Sequence, residues 1–92
     1  MVRMVRIKKT KTMIATLISI GPPESKAVRF LRMQSQSGSL KYSDRLEFIV
    51  LGEDGRIEDG FLTSQSIEEP KKEGRFITFK TENSEYKFRE LF

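Results

Sequence analysis

Residues 75–91, RFITFKTENSEYKFREL, hold the reading on which the fold turns. Apolar and polar residues alternate on both sides of Glu82-Asn83-Ser84, and alternation with a period of two marks a half-buried strand. Asn83-Ser84 supplies turn-forming residues between the two runs. With the turn centred on that pair, Phe79 comes opposite Phe88 and Thr81 opposite Tyr86, and these four share one face with Ile77. Phe76 and Leu91 fall on the other face, near the open end. The stretch reads as an antiparallel hairpin with one apolar face. Its second strand, EYKFRELF, reads as a candidate sheet edge, because nothing follows it to pair with.

Upstream, EEPKKEG (68–74) reads as a charged surface loop and RLEFIVL (45–51) as the strongest core strand. The intervening GEDGRIEDG repeats Glu-Asp-Gly at 53–55 and 58–60, two places where Asp-Gly offers the positive φ of tight turns. Phe61-Leu62 begins a short strand or a return loop. MIATLISI (13–20) is rich in β-branched residues, so residues 3–20 read as one long strand, or two with a bend near Lys9–Lys11. Ile14, Thr16, Ile18 and Ile20 then share one face; Ala15, Leu17 and Ser19 share the other. Gly21-Pro22-Pro23 stops the strand.

Residues 24–36, ESKAVRFLRMQSQ, have two readings. As a helix, Ala27, Phe30, Leu31 and Gln34 form a stripe, with Pro23 near the start and Gly38 past the end. As a strand over 27–34, Val28 and Phe30 oppose Arg29, Leu31 and Met33, and QSQSGS is the polar turn that follows. The strand is the preferred reading. Five or six short strands in 92 residues make one all-β domain, spanning 1–92, with at most one short helix near 24–36. The architecture expected is a small antiparallel barrel or a twisted sheet. Residues 1–11 are readable as a mobile basic arm ahead of it.

The chain has no cysteine and no histidine. That excludes disulfides, thiolate nucleophiles, Cys- or His-based metal sites and every Ser-His or Cys-His catalytic pair. Glu53, Asp54, Glu58 and Asp59 remain as oxygen ligands or acid/base candidates. They lack EF-hand spacing, and turn chemistry accounts for them. No glycine-rich phosphate loop is present. The expectation is a protein that is not an enzyme, with no metal and no cofactor. The basic start, the apolar run and Ser25-Lys26-Ala27 have the outline of a secretory signal, but the run is short and broken by Thr16 and Ser19. No stretch approaches the roughly 20 apolar residues of a membrane span. The chain reads as soluble and cytoplasmic.

Charge is unevenly placed. Residues 1–43 hold nine Lys/Arg against one acid, Glu24, a net of +8; residues 44–92 hold eight against twelve, a net of −4. A basic half of that strength suits an anionic partner. Nucleic-acid recognition by small β domains combines cations along a groove with aromatics on which bases stack. The candidate contacts are therefore Arg3, Arg6, Lys8, Lys9, Lys11, Arg29 and Lys41, with Phe30 and Tyr42 beside them in sequence.

One resemblance follows from particular residues. Thr63-Ser64 with Ile67 shortly after, then Thr81, Asn83, Ser84 and Tyr86 in a strand–T-x-N-S-x-Y–strand hairpin, resembles the C-terminal half of small uncharacterised β proteins of bacteria and their phages. It spans the C-terminal third and implies a fold element rather than an activity. The functional expectation is a non-enzymatic binding module that contacts a polyanion, above all nucleic acid, through its basic N-terminal half. The alternative is a protein–protein adaptor or inhibitor of phage or plasmid origin, acting through a sheet edge or a charged face. A homo-oligomer that sets basic against acidic faces is a third expectation.

Overall fold

The computed structural model describes residues 10–91 of the chain. Among them are β1 (Lys11–Gly21), a 3₁₀ helix (Lys26–Met33), β2 (Ser37–Tyr42), β3 (Leu46–Leu51), β4 (Ile57–Leu62), β5 (Lys71–Glu73), β6 (Phe76–Lys80) and β7 (Glu85–Glu90). The seven strands form one antiparallel sheet in the order β4-β3-β2-β1-β7-β6-β5. All-β architecture with one short helix is as expected, with seven strands in place of five or six. Among the described residues the twisted sheet leaves β4 and β5 each without an outer neighbour, and it does not close into a barrel. The reading of residues 1–11 as an arm lies almost wholly outside the described residues.

The sheet curls until its two halves touch across one face. Three strands separate β4 from β7, yet the Phe61 ring lies 5.7 Å from that of Tyr86 and 6.5 Å from that of Phe88. Phe48 of β3 lies 5.1 Å from Phe88, and Tyr42 of β2 meets Phe79 of β6 edge-on at 6.4 Å. The core is this concave face. Leu17, Leu40, Leu46, Phe48, Ile77, Phe79 and Phe88 are fully buried there. Aromatic pairs at such spacings add about 0.5–1.5 kcal/mol each beyond area burial.

The C-terminal hairpin forms with its buried face as expected: Ile77, Phe79, Thr81, Tyr86 and Phe88 all point inward. Its register differs by two residues. Phe79 pairs with Tyr86 and Ile77 with Phe88, so the turn is centred on Glu82-Asn83. Thr81 and Ser84 close that turn, with the Thr81 amide donating to the Ser84 carbonyl at 2.9 Å. A shift of two keeps every side chain on its face, which is why the alternation reads the same either way. β7 is not an edge: it lies between β1 and β6.

Within residues 24–36, Lys26–Met33 form the 3₁₀ helix, not the preferred strand over 27–34. Ser25 caps it, its hydroxyl accepting from the Ala27 amide at 3.0 Å. A strand would have set Met33 and Leu31 on the same side as Arg29. The helix instead buries Ala27 and Met33, half-buries Phe30 and Leu31, and turns Arg29 and Arg32 outward. Pro22 and Pro23 leave the backbone without the donors an eleventh-hour strand extension would need, and the Ser25 amide returns to the Pro22 carbonyl at 2.9 Å. Two further corrections concern the acidic stretch and the charged loop. Gly55, at φ 81°, sits in the β3–β4 turn, but Glu58-Asp59-Gly60 belongs to β4. Within 68–74, Lys71-Lys72-Glu73 pairs with β6 through a two-residue connection, Gly74-Arg75. Gly74 has φ 62°, the conformation a tight hairpin reserves for glycine.

β1 follows its expected alternation only as far as Leu17. A bulge at Ile18, between Leu17↔Phe88 and Ser19↔Lys87, resets the phase. Ala15 and Leu17 are buried, and then Ile20, not Ser19. The bulge adds the local bend that lets the longest strand follow the curl.

Candidate nucleic-acid interface

Two of the cations singled out in the sequence come together at one end of the sheet. The β1–β2 register sets Lys11 against Tyr42 and Thr12 against Lys41, so Lys11 and Lys41 are both exposed at the ends of neighbouring strands but on opposite faces, Lys11 on the face of Tyr42 and Lys41 on the convex one. Arg45 joins Lys41 across the β2–β3 connection, where the Ser43 amide donates to the Arg45 carbonyl at 3.0 Å. Lys41, Arg45 and Tyr42 border a shallow depression of about 190 Å³ that also touches Thr10 and Leu62. Arg45 is the residue that sequence reasoning missed: it was placed at the head of a core strand, whereas it belongs to the polar connection Ser43-Asp44-Arg45 ahead of β3. Arg3, Arg6, Lys8 and Lys9 lie outside the described residues, in the segment that leads into β1 at this end.

Arg29 and Phe30 occupy a different neighbourhood. The Arg29 guanidinium lies 4.5 Å above the Phe30 ring, and its Nη1 donates to the Lys26 carbonyl at 3.0 Å. The other face of Phe30 stacks on Phe61 at 4.5 Å, with the planes 10° apart. Both faces of that ring are therefore covered. Tyr42 is only 7% exposed and packs on Phe79. Burial, with the Glu90 carboxylate nearby, pushes its phenol above the ordinary tyrosine range. Neither aromatic presents an open face to a base.

Beside Arg29 runs a groove of about 730 Å³ between the helix N-terminus and the β6–β7 turn. Its floor is made of hydroxyls. Ser25 and Ser84 are buried and hydrogen-bond to each other. The Thr81 hydroxyl donates to the Ser84 carbonyl at 3.4 Å. The Thr63 hydroxyl accepts from the Leu46 amide at 3.0 Å and donates to the Ser64 carbonyl at 2.8 Å. A single bridge, Ser66↔Thr81, ties the exit from β4 to the same turn, and the Ile67 amide donates to the Lys80 carbonyl at 3.0 Å. Of the residues that carry the resemblance, Thr63, Ser64, Thr81, Asn83, Ser84 and Tyr86 meet at this groove, and Ile67 lies outside it, exposed. The Ser66–Thr81 bridge and the Ile67 amide clasp the segment after β4 to the β6–β7 hairpin, and the Ser25–Ser84 bond ties the helix N-terminus to its turn. Among the described residues no buried side-chain polar atom lacks a partner.

The acidic candidates scatter. Glu53 and Asp54 stand at the β3–β4 turn. Asp59 is taken by Arg32: Nε and Nη2 reach its two oxygens at 2.8 and 2.7 Å. Those hydrogen bonds and the Gly60 amide at 2.8 Å hold the Asp59 carboxyl below the usual aspartate range and raise Arg32 in turn. Among the described residues no three acidic side chains gather as a metal site would require. No described helix is long and apolar enough to cross a membrane.

Comparison with known proteins finds no matching family model, no similar curated protein and no similar solved structure.

Proposed function

We propose that the chain is a non-enzymatic binding module that grips a polyanion, above all nucleic acid, through the basic end of its sheet. The observation that supports this reading is the placement of Lys41 and Arg45 on one face of a sheet end that also carries Lys11 on its other face, where the chain enters from residues 1–9, which add Arg3, Arg6, Lys8 and Lys9 and no acid. Among the described residues Glu47, opposite Lys41, is the countercharge lining the depression, and Asp44 stands next to Arg45 in the connection. With Phe30 and Tyr42 committed to the core, binding rests on phosphate contacts rather than on stacking. Such contacts position a nucleic acid without reading its sequence. Arg29 lies apart, in the helix groove, and is not needed for this grip.

Affinity for single- and double-stranded oligonucleotides of unrelated sequence should therefore be similar, and should fall linearly on a plot of log K against log salt. Each phosphate contact contributes roughly 0.7–0.9 to that slope. Reversal of Lys8, Lys9 and Lys11 to Glu should abolish binding, and Lys41→Glu should weaken it and flatten the slope. Fluorescence anisotropy over a salt series measures both. A salt-independent affinity, or a triple variant that binds as well as the parent, removes the polyanion reading.

A further inference from the structure

The two edges of the sheet are finished differently. β5 is three residues long and consists of Lys71, Lys72 and Glu73, all exposed, the short charged form in which edges resist pairing. β4 is twice that length, and its outer residues Ile57 and Leu62 are 67% and 59% exposed. Three depressions meet along its C-terminal half, and Leu62 borders each of them.

A bulge sets the spacing of these side chains. Val50 pairs with Asp59 and Leu51 with Ile57, so Glu58 is the extra residue. Ile57 consequently falls on the convex face, in phase with Gly60 and Leu62, which pair with Ile49 and Glu47 there. Gly60 sits midway between the two exposed apolar residues and carries no side chain; a Cβ would come within 2.8 Å of the Phe48 carbonyl oxygen. A strand with this pattern is its own complement. A second copy turned about a two-fold axis through Gly60 sets Ile57 against Leu62 of the partner subunit, and Leu62 against Ile57 of the partner subunit.

Backbone and charge agree with that axis. The Thr63 amide donates to the Leu46 carbonyl, so by alternation Thr63, Phe61 and Asp59 point their peptide groups at β3, and Gly60 and Leu62 point theirs outward. The Gly60 amide is held by Asp59 Oδ1, and that carboxylate keeps Arg32 when the amide turns to a new acceptor. Glu53 and Asp54 lie at one end of the β3–β4 hairpin, and Arg45 lies beside Ser64 at the other. Among the described residues no carboxylate pairs with Arg45. The two-fold brings the acidic turn of each copy to the Arg45 end of the other.

We propose that β4 is a homodimerisation edge, pairing antiparallel with β4 of a second copy about Gly60. An edge contact of this length is small beside the roughly 1,200–2,000 Å² of a stable interface, so the dimer forms in a concentration-dependent way. Sedimentation velocity from micromolar to millimolar concentration, on nuclease-treated protein, tests it. The parent chain should shift from monomer to dimer. The double variant Ile57→Lys/Leu62→Lys should stay monomeric with an unchanged far-ultraviolet spectrum, since both side chains are exposed. So should Ile57→Glu/Leu62→Glu. An equimolar mixture of the two should regain the dimer, because each Lys then meets a Glu across the axis. A parent that stays monomeric throughout, a dimer that survives the Lys variant, or a mixture that fails to associate overturns the proposal.

Discussion

Phe88 shows what one side chain carries in so small a core. It is fully buried, its ring lies within 6.5 Å of both Phe48 and Phe61, and it pairs with Ile77 on one side and Leu17 on the other. Phe88→Ala should cost about 3–5 kcal/mol, and chemical denaturation should find the variant largely unfolded near body temperature. Gly38 is constrained for the opposite reason. A Cβ at that position would lie 2.3 Å from the Ile49 carbonyl oxygen, a backbone atom that cannot step aside alone. Gly38→Ala should destabilise by about 1–3 kcal/mol, the usual range for overpacking, and a melting temperature equal to the parent's would contradict the β2–β3 contact described. The Arg32–Asp59 pair predicts a pH dependence. The Asp59 carboxyl is held below its ordinary range in the folded chain, so its contribution is present at neutral pH and is lost as pH falls through and below that range. The melting temperatures of the parent and of Asp59→Asn should differ at neutral pH and converge on acidification.

The elements show how far alternation can be followed. It places Ile77, Phe79, Tyr86 and Phe88 on the buried face correctly, because parity survives a slip of two residues. The offset itself depends on which pair closes the turn, and Thr81 and Ser84 decide that by hydrogen bonds no pattern displays. Ile18 and Glu58 are single extra residues that reverse parity partway along a strand, so the second half of β1 and the first half of β4 cannot be read from their neighbours. β5 has no apolar residue at all and is a strand by backbone pairing alone. In the helix Phe30 fits either period, sharing a face with Ala27 in a helix and with Val28 in a strand, and the choice rests on Ser25, whose hydroxyl caps the first turn while bonding to Ser84, 59 residues away. Ser25→Ala removes a cap and leaves the buried Ser84 hydroxyl without that partner. A loss of about 1–3 kcal/mol is expected, with Ser84→Ala largely neutral in the Ser25→Ala background; a double-mutant cycle measures the coupling. Of the interface, Lys11 and Lys41 were legible as cations. That they reach the same end of the sheet, on opposite faces, was not, since it depends on the β1–β2 register.

At the scale of the whole molecule, the order of the strands redistributes the charge. The basic sequence half supplies β1, β2 and the helix, and in the sheet β1 and β2 lie in the middle, flanked by the acidic half's β3 and β4 on one side and β7, β6 and β5 on the other. β1 and β2 carry one cation each, Lys11 and Lys41, and β5, β6 and β7 together hold five cations against three carboxylates, so the negative charge of the sheet gathers on β3 and β4, which carry Glu47, Glu58 and Asp59 and no cation. The same order joins the first described strand to the last. During synthesis β1 through β4 can zip as consecutive hairpins while the ribosome is still adding β5 and β6. One flank of β1 is meanwhile bare over the stretch from Ala15 to Gly21, with Leu17 and Ile20 uncovered, until residues 85–90 emerge. A nascent chain in that state is a template for mispairing. Stalled chains ending before residue 85 should be captured by chaperones and sensitive to protease, and should become resistant abruptly once β7 clears the exit tunnel.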